Sequence, residues 1–393
     1  MNEKMVKLGK ERSVIREIFE YGNLRAQEIG RENVFDFSLG NPSVPAPDDI
    51  NTKIKRLLDT MPAVKLHGYT SAAGASEVRE AVARYIQTHF DIPLSADLVY
   101  MTCGAAASLT VTLNGILQAG DEVVVISPYF PEYKVFIEQA GGKVVAARAN
   151  ENFHLDLCAL SRAIGEHTRA VIVNSPNNPT GAVYGEEEMK QLGELLAQKS
   201  REKGEPVYLL ADEPYRELCY GSRPVYPMNI YPNTIVCYSF SKSLSLAGER
   251  IGYIALSPLC EGKEEIFAAI LGAGRSLGYV CAPALFQRVV ASALGKSGDV
   301  GKYRKNRDLL LNALEGFGFD CVPPEGAFYL FVKSPVRDAE EFCEAAKKYE
   351  LLLVPSNSFG IEGYVRISYC VERDMIERAL PAFEKLAKEY KLL

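Results

Sequence analysis

Between about residue 75 and residue 256 the chain repeats one unit: a short apolar run, a turn cluster, then an amphipathic segment of helix length. The apolar runs fall at 98–102, 122–126, 143–147, 170–173, 207–211, 235–238 and 251–256, and segments 77–88, 131–140 and 186–201 carry a helical period. Parallel neighbours need a long crossover between them, so strands alternating with helices imply a largely parallel sheet. The pattern predicts an α/β large domain with a mostly parallel seven-stranded sheet flanked by helices. Past residue 256 it changes. Helical stretches at 266–275, 283–294, 302–314, 339–349 and 372–388 are interrupted by strand-like runs at 327–332, 351–354 and 364–368. This predicts a smaller α+β domain, joined by a helix from residue 13 to about 29 and by the segment 35–39. The expected boundaries are 46–280 for the large domain, with 1–45 and 281–393 forming the small one.

In open sheets of this kind ligands gather just beyond the carboxyl ends of the strands, and the polar clusters fall there. After residue 102 comes Cys103-Gly104-Ala105-Ala106-Ala107, small residues opening a helix whose free N–H groups suit a phosphate. Close packing explains the same residues. After 173 comes Asn174-Ser175-Pro176-Asn177-Asn178-Pro179-Thr180-Gly181, a rigid loop able to aim the Asn178 amide; a structural turn is an equal alternative. After 211 comes Asp212-Glu213-Pro214-Tyr215, where Asp212 reads either as a cap or as a carboxylate facing a cationic ring. After 238 comes Ser239-Phe240-Ser241-Lys242, with Arg250-Ile251-Gly252-Tyr253 close behind. A lysine at the end of a buried strand is costly to desolvate as an ammonium, so its neutral form is favoured. A neutral amine condenses with an aldehyde to an imine, and hydroxyls beside a guanidinium suit a phosphate dianion. An aldehyde carrying a phosphate describes pyridoxal phosphate, although the segment on its own is better read as a solvated loop with a lysine in it.

Composition removes other classes. Lys+Arg 44 against Asp+Glu 50, with no basic block, gives nothing to track a nucleic-acid backbone. No apolar run nears the roughly 18 residues of a membrane span. No apolar stretch follows the N-terminal residues, so no secretory signal is expected. Nine cysteines without C-x-x-C pairing argue against a disulfide framework and for a reducing cytoplasm. His67, His89, His154 and His167 show no paired spacing, so no metal site is expected. Gly316-Phe317-Gly318-Phe319 lacks the third glycine of a dinucleotide fingerprint, and Gly295-Lys296-Ser297 lacks the first glycine of a P-loop.

In chain order, Gly104, Tyr129, Asn178, Asp212 and Lys242 mark successive strand ends. Together with the Asn-Pro-Thr-Gly, Asp-Glu-Pro-Tyr, Ser-x-Ser-Lys and Arg-x-Gly-Tyr set, they make the chain resemble a class I/II, fold-type-I pyridoxal-phosphate aminotransferase of the aspartate aminotransferase kind. The resemblance runs from Gly40-Asn41-Pro42 to Tyr364-Val365-Arg366-Ile367-Ser368. It implies that Lys242 holds the cofactor as a Schiff base and moves the substrate's α-proton. Asp212 would pair with the pyridine nitrogen, Tyr215 and Asn178 with the ring oxygen, and Tyr129 would stack on the ring. The phosphate would meet the amides of Gly104, Ala105 and Ala106, with Ser239, Ser241 and Arg250. Tyr69 would reach the phosphate of a neighbouring subunit, which implies a homodimer with shared sites. Arg366 would hold the substrate α-carboxylate as a two-pronged fork, with Gly40 beside it.

The implied activity moves an amino group between an α-amino acid and a 2-oxo acid in the cytoplasm, with 2-oxoglutarate/glutamate as one pair and aspartate a leading donor. Two departures bear on the substrate. The phosphate loop offers Cys103 and alanines where relatives have Ser or Thr. Ser276 and Ala106 stand where subgroups of the family place a cation for a second carboxylate, which leaves Arg275 or Arg16, each also readable as a helix-surface arginine. The alternatives are a β-elimination lyase or decarboxylase using the same cofactor, and a catalytically silent cofactor-binding regulator.

Overall fold

The computed structural model describes residues 1–10, 13–221 and 223–393. A short strand, β1 (Phe35–Asp36), lies apart from the main sheet. That sheet contains β2 (Val99–Thr102), β3 (Glu122–Ser127), β4 (Lys143–Arg148), β5 (Thr168–Asn174), β6 (Tyr208–Asp212), β7 (Thr234–Ser239) and β8 (Gly252–Leu256). Its order is β2-β8-β7-β6-β5-β3-β4, and every pairing is parallel except the two made by β8. Helices cover both faces, so β2, β6, β7 and β8 are buried at every position. Strands buried on both faces read as continuous apolar runs instead of alternating ones.

This topology positions the site. The six strands other than β8 share one direction, so their carboxyl ends share one edge. β8 runs the other way, and its beginning lies at that same edge. Arg250, just before β8, is thereby brought next to the segment that follows β7.

The second sheet is antiparallel. It is built from β9 (Cys321–Val322), β10 (Tyr329–Lys333), β12 (Val354–Pro355) and β13 (Tyr364–Ser368) in the order β12-β13-β10-β9, while β11 (Leu351–Leu352) pairs in parallel with β1. The run expected as one strand over 351–354 is therefore two, because the chain changes partner at Leu353. The run expected from 327 starts its strand at Tyr329, since Ala327 sits at φ +55°, outside the extended region. Helices Val300–Gly316, Ala339–Lys347 and Arg373–Glu389 bury a separate apolar core around Phe328, Phe342 and Phe383.

The expected boundary at 280/281 divides elements that pack together. Helix Ala284–Ala291 lies on helices Asp49–Thr60 and Ser76–Phe90, with Val289 and Val290 fully buried in the large core. Ending the large domain at 280 would strip that apolar face. We propose that the boundary lies at Asp299, which caps helix Val300–Gly316 by accepting from the Gly301 N–H. Among the described residues no helix is long and apolar enough to cross a membrane, and no cluster of His, Cys, Asp and Glu is placed to hold a metal.

Candidate active site

A cavity of about 280 Å³ lies at the shared sheet edge, roofed by residues of the small domain. All predicted site residues line it except Gly104, Tyr69 and Tyr129. Lys242 sits in the short helix Phe240–Ser243, one turn beyond β7, and its Nζ donates to the Gly40 carbonyl at 2.5 Å. Burial is the main cause that pushes its pKa down to about 8, with the Arg250 and Arg366 guanidinium groups adding and Cys370 opposing. An amine titrating there is available as a nucleophile near neutral pH. Gly40 must be glycine, because a Cβ would run into the Tyr329 hydroxyl.

Asp212 ends β6 and is buried. Its Oδ2 accepts from the Tyr133 hydroxyl at 2.5 Å, and its backbone carbonyl accepts from Asn174 Nδ2 at 2.8 Å. Its Oδ1 is buried with no hydrogen-bond partner among the described residues. Burial lifts the Asp212 pKa to about 7; Tyr133 pulls it back, and the neighbouring Glu213 adds to the rise. A carboxylate in this state is satisfied on one oxygen and open to a cation on the other.

Around Gly104 the chain forms an anion seat. Gly104 (φ +92°) precedes helix Ala105–Ile116, whose first amides receive no side-chain cap. A Cβ there would press on the Arg250 guanidinium at 2.9 Å. Arg250 Nη1 donates to Ser241 Oγ at 3.4 Å and to the Ala247 carbonyl at 3.0 Å, and Ser241 Oγ lies 2.7 Å from Ser239 Oγ. Arg250 itself has φ +51°, a left-handed backbone that costs a side-chain-bearing residue of order 1 kcal/mol or more and is kept mainly where function needs it.

Arg366 lies in β13 and is 2% exposed. Nη1 donates to Asn178 Oδ1 at 3.1 Å and Nη2 to the Ser38 carbonyl at 2.5 Å, while the guanidinium stacks over the Tyr329 and Phe359 rings. Among the described residues its Nε has no hydrogen-bond partner, and neither of its two acceptors is charged. Burial lowers its pKa. A buried guanidinium without a counter-ion is destabilising until an anion arrives.

Two predicted residues lie elsewhere. Tyr69 is 99% exposed, away from its own chain's cavity. The Tyr129 ring packs on Gly360, where a Cβ would meet it at 2.6 Å, and its N–H donates to the Phe359 carbonyl. Phe130, the next residue, lines the cavity instead. Sequence showed two adjacent aromatics; the backbone bond to Phe359 decides which one turns inward. Sequence reasoning also missed Tyr133, Asn174, Ser38 and Tyr329. Tyr133 looks like any core tyrosine on a helix face, and nothing local marks its bond to a residue 79 positions away.

Tyr133→Phe is expected to raise the Asp212 pKa further and lower kcat/KM at pH 7 roughly 10-fold, the scale of one hydrogen bond to a charge. Because the defect is lost ionisation, raising the pH should restore activity, so the acid limb of the profile moves upward. A loss that is the same at every pH would count against this link.

A family profile described as "Aminotransferase class I and II" matches residues 32–383. The chain is similar to an amino transferase from Eubacterium rectale of known crystal structure, with 51% identity, a TM-score of 0.97, and 99% of each chain covered. It is 30% identical over 384 residues to a probable aspartate aminotransferase of Methanocaldococcus jannaschii, covering 95% of this chain and 96% of that one. It is 32% identical to a probable N-acetyl-LL-diaminopimelate aminotransferase of Bacillus subtilis, covering 93% of this chain and 92% of the relative.

Proposed function

The chain belongs to the class I and II aminotransferases, and from that membership we propose that it exchanges an amino group between an α-amino acid and a 2-oxo acid with pyridoxal phosphate as cofactor. The observation that carries this reading is that Asp212 and Arg366 line one cavity and each keeps a buried polar atom without a partner among the described residues, the Asp212 Oδ1 and the Arg366 Nε. A ligand that fits must bring a cation to the first and an anion to the second. The Gly104 seat, open to a phosphate and closed to a Cβ, fits the same cofactor. Bound there, pyridoxal phosphate supplies an electrophilic carbon and a protonated ring that withdraws electrons from the substrate α-carbon.

The chain's own residues do the rest. Lys242 provides the amine that holds the cofactor and, once released, takes the proton from the α-carbon. Asp212 keeps the ring nitrogen protonated, and Tyr133 and Asn174 hold Asp212 in place. Asn178 and Tyr215 would hold the ring oxygen, and Phe130, which lines the cavity where Tyr129 does not, would cover the ring. Arg366 grips the α-carboxylate and so fixes which bond at the α-carbon is aligned for cleavage. The exchange balances without an external oxidant: one partner trades its amino group and α-hydrogen for a carbonyl oxygen, and the other does the reverse.

The partner we propose is a second copy. Val64 and Tyr69 are exposed, as are Tyr279 and Val280, and the Cys281 thiol donates to the Thr70 carbonyl, holding the two segments together as one apolar patch. This supports a homodimer in which Tyr69 completes the neighbour's phosphate seat.

The test is product balance. Purified enzyme with donor and 2-oxo acid should form new amino acid and new oxo acid in equal amounts; ammonia or carbon dioxide in their place would indicate elimination or decarboxylation. Arg366→Lys should raise KM for the donor about 50-fold, because a point charge cannot copy the fork. An unchanged KM would remove Arg366 from the substrate site.

A further inference from the structure

In the reading above Arg366 meets the substrate, and one of its two acceptors is a backbone group, the Ser38 carbonyl. Whatever fixes that carbonyl helps to decide where the guanidinium points. Phe37 is tied into the small domain by its own backbone: its N–H donates to the Leu352 carbonyl at 3.1 Å, and its C=O accepts from the Ser368 N–H at 2.9 Å. Ser38, the next residue, is fully buried. Its N–H and its hydroxyl both turn back to Asp36 Oδ1, at 2.9 and 2.6 Å. An aspartate that accepts from the backbone two residues on closes a local turn of its own. The Ser38 carbonyl is thereby left to Arg366 Nη2, 2.5 Å away. Two residues further, the Gly40 carbonyl accepts from Lys242 Nζ. Residues 36–40 therefore form a strap that touches both the arginine and the lysine of the site.

The fold makes room for this turn. Asp36 lies in β1 and is buried, and helix Val14–Ile29 passes it at Gly22. A Cβ at Gly22 would come within 2.7 Å of Leu352 Cδ1 and 3.3 Å of Asp36 Oδ2. Glycine inside a helix is destabilising relative to alanine; here it lets the helix lie against β1 with the Asp36 side chain in place.

We propose that Asp36 is a positioning residue for substrate binding: by holding Ser38 it fixes the orientation in which Arg366 receives the α-carboxylate. The proposal rests on Arg366 being the carboxylate site. Without the Asp36 side chain, two buried donors of Ser38 lose their acceptor, which is costly enough for the residue to turn toward other partners and draw its carbonyl off Nη2.

The test is steady-state kinetics of the holoenzyme with the two common amino acids it turns over fastest. Asp36→Ala should raise KM roughly 10-fold for both, because every donor brings the same α-carboxylate, while kcat and the cofactor dissociation constant change less than about 2-fold. A variant that was only less well folded would lose kcat and cofactor as well. Asp36→Asn, whose Oδ1 accepts the same two bonds, should keep KM within about 2-fold of the parent. On an Arg366→Lys background, Asp36→Ala should add less than about 2-fold, since the two residues act through one contact. An unchanged KM in Asp36→Ala, an asparagine variant as poor as the alanine one, or an equal rise on both backgrounds overturns the proposal. If Asp36→Ala does not fold, Ser38→Ala deletes one of the two bonds and should raise KM about 3-fold; no rise there has the same force. Arg366→Lys with an unchanged KM removes Arg366 from the substrate site, and this proposal with it. The expected rise in Arg366→Lys without one in Asp36→Ala removes Asp36 alone.

Discussion

Replacing Lys242 by alanine is expected to lower turnover by roughly 10⁴-fold or more, because in the proposed reading one side chain supplies both the nucleophile and the base. The fold should survive. Among the described residues the Lys242 side chain makes one hydrogen bond, to the Gly40 carbonyl, and the surrounding strands are held by other residues. The amine itself can be titrated independently of turnover. With the pKa pushed down to about 8, the cofactor-stripped protein should show one lysine undergoing reductive methylation with a midpoint near pH 8, well before surface lysines react. Mass spectrometry of digested protein identifies the residue. Lys242 reacting no earlier than the others, or an alanine variant with near-normal turnover, would remove it from the role assigned above.

Asp212→Asn is expected to act in opposite directions on activity and stability. Turnover should fall roughly 10³-fold, as when a preorganised charge is removed from a dry site. Stability of the cofactor-stripped protein should rise at pH 8. Burial raises the Asp212 pKa from 3.8 to about 7, so the folded chain holds a proton that the unfolded chain releases between those values. The sign follows: stability from this group is full below about pH 4, declines as pH rises to 7, and stays low above it. The difference corresponds to roughly 4 kcal/mol, so the asparagine variant should melt several degrees higher at pH 8 while gaining little at pH 4. Adding pyridoxal phosphate should narrow the gap, because a cation opposite the carboxylate offsets its burial in the parent and finds no charge in the variant. Equal melting temperatures at pH 8, together with wild-type turnover, would show that Asp212 is not the open carboxylate described here.

The two variants also separate what was legible from what was not. Lys242, Asp212, Asn178 and Arg250 stood out because their neighbours in sequence are their neighbours in space: each follows or precedes a buried strand, and the topology carries all of those ends to one edge. In the large sheet the strands were legible to within two residues for the same local reason, apolar runs bounded by turn residues. Tyr133 and Ser38 were not, because their value lies in bonds to Asp212 and Arg366, made far along the chain. The helix Ala284–Ala291 reads from sequence as part of the small domain, since its apolar face is evident there but the surface that receives it is not.

By itself the sequence determined the alternation of strand and helix, the residues at strand ends, and so the cofactor chemistry that those residue types suit. Only the tertiary structure decided which of Tyr129 and Phe130 faces the cavity and which oxygen of Asp212 stays open. It also decided that Arg366 is buried with no charged acceptor among the described residues. The reason is physical. Strand and helix preferences act over a few residues, whereas desolvation, charge compensation and the direction of a side chain are set by every segment packed around it, however distant in the chain.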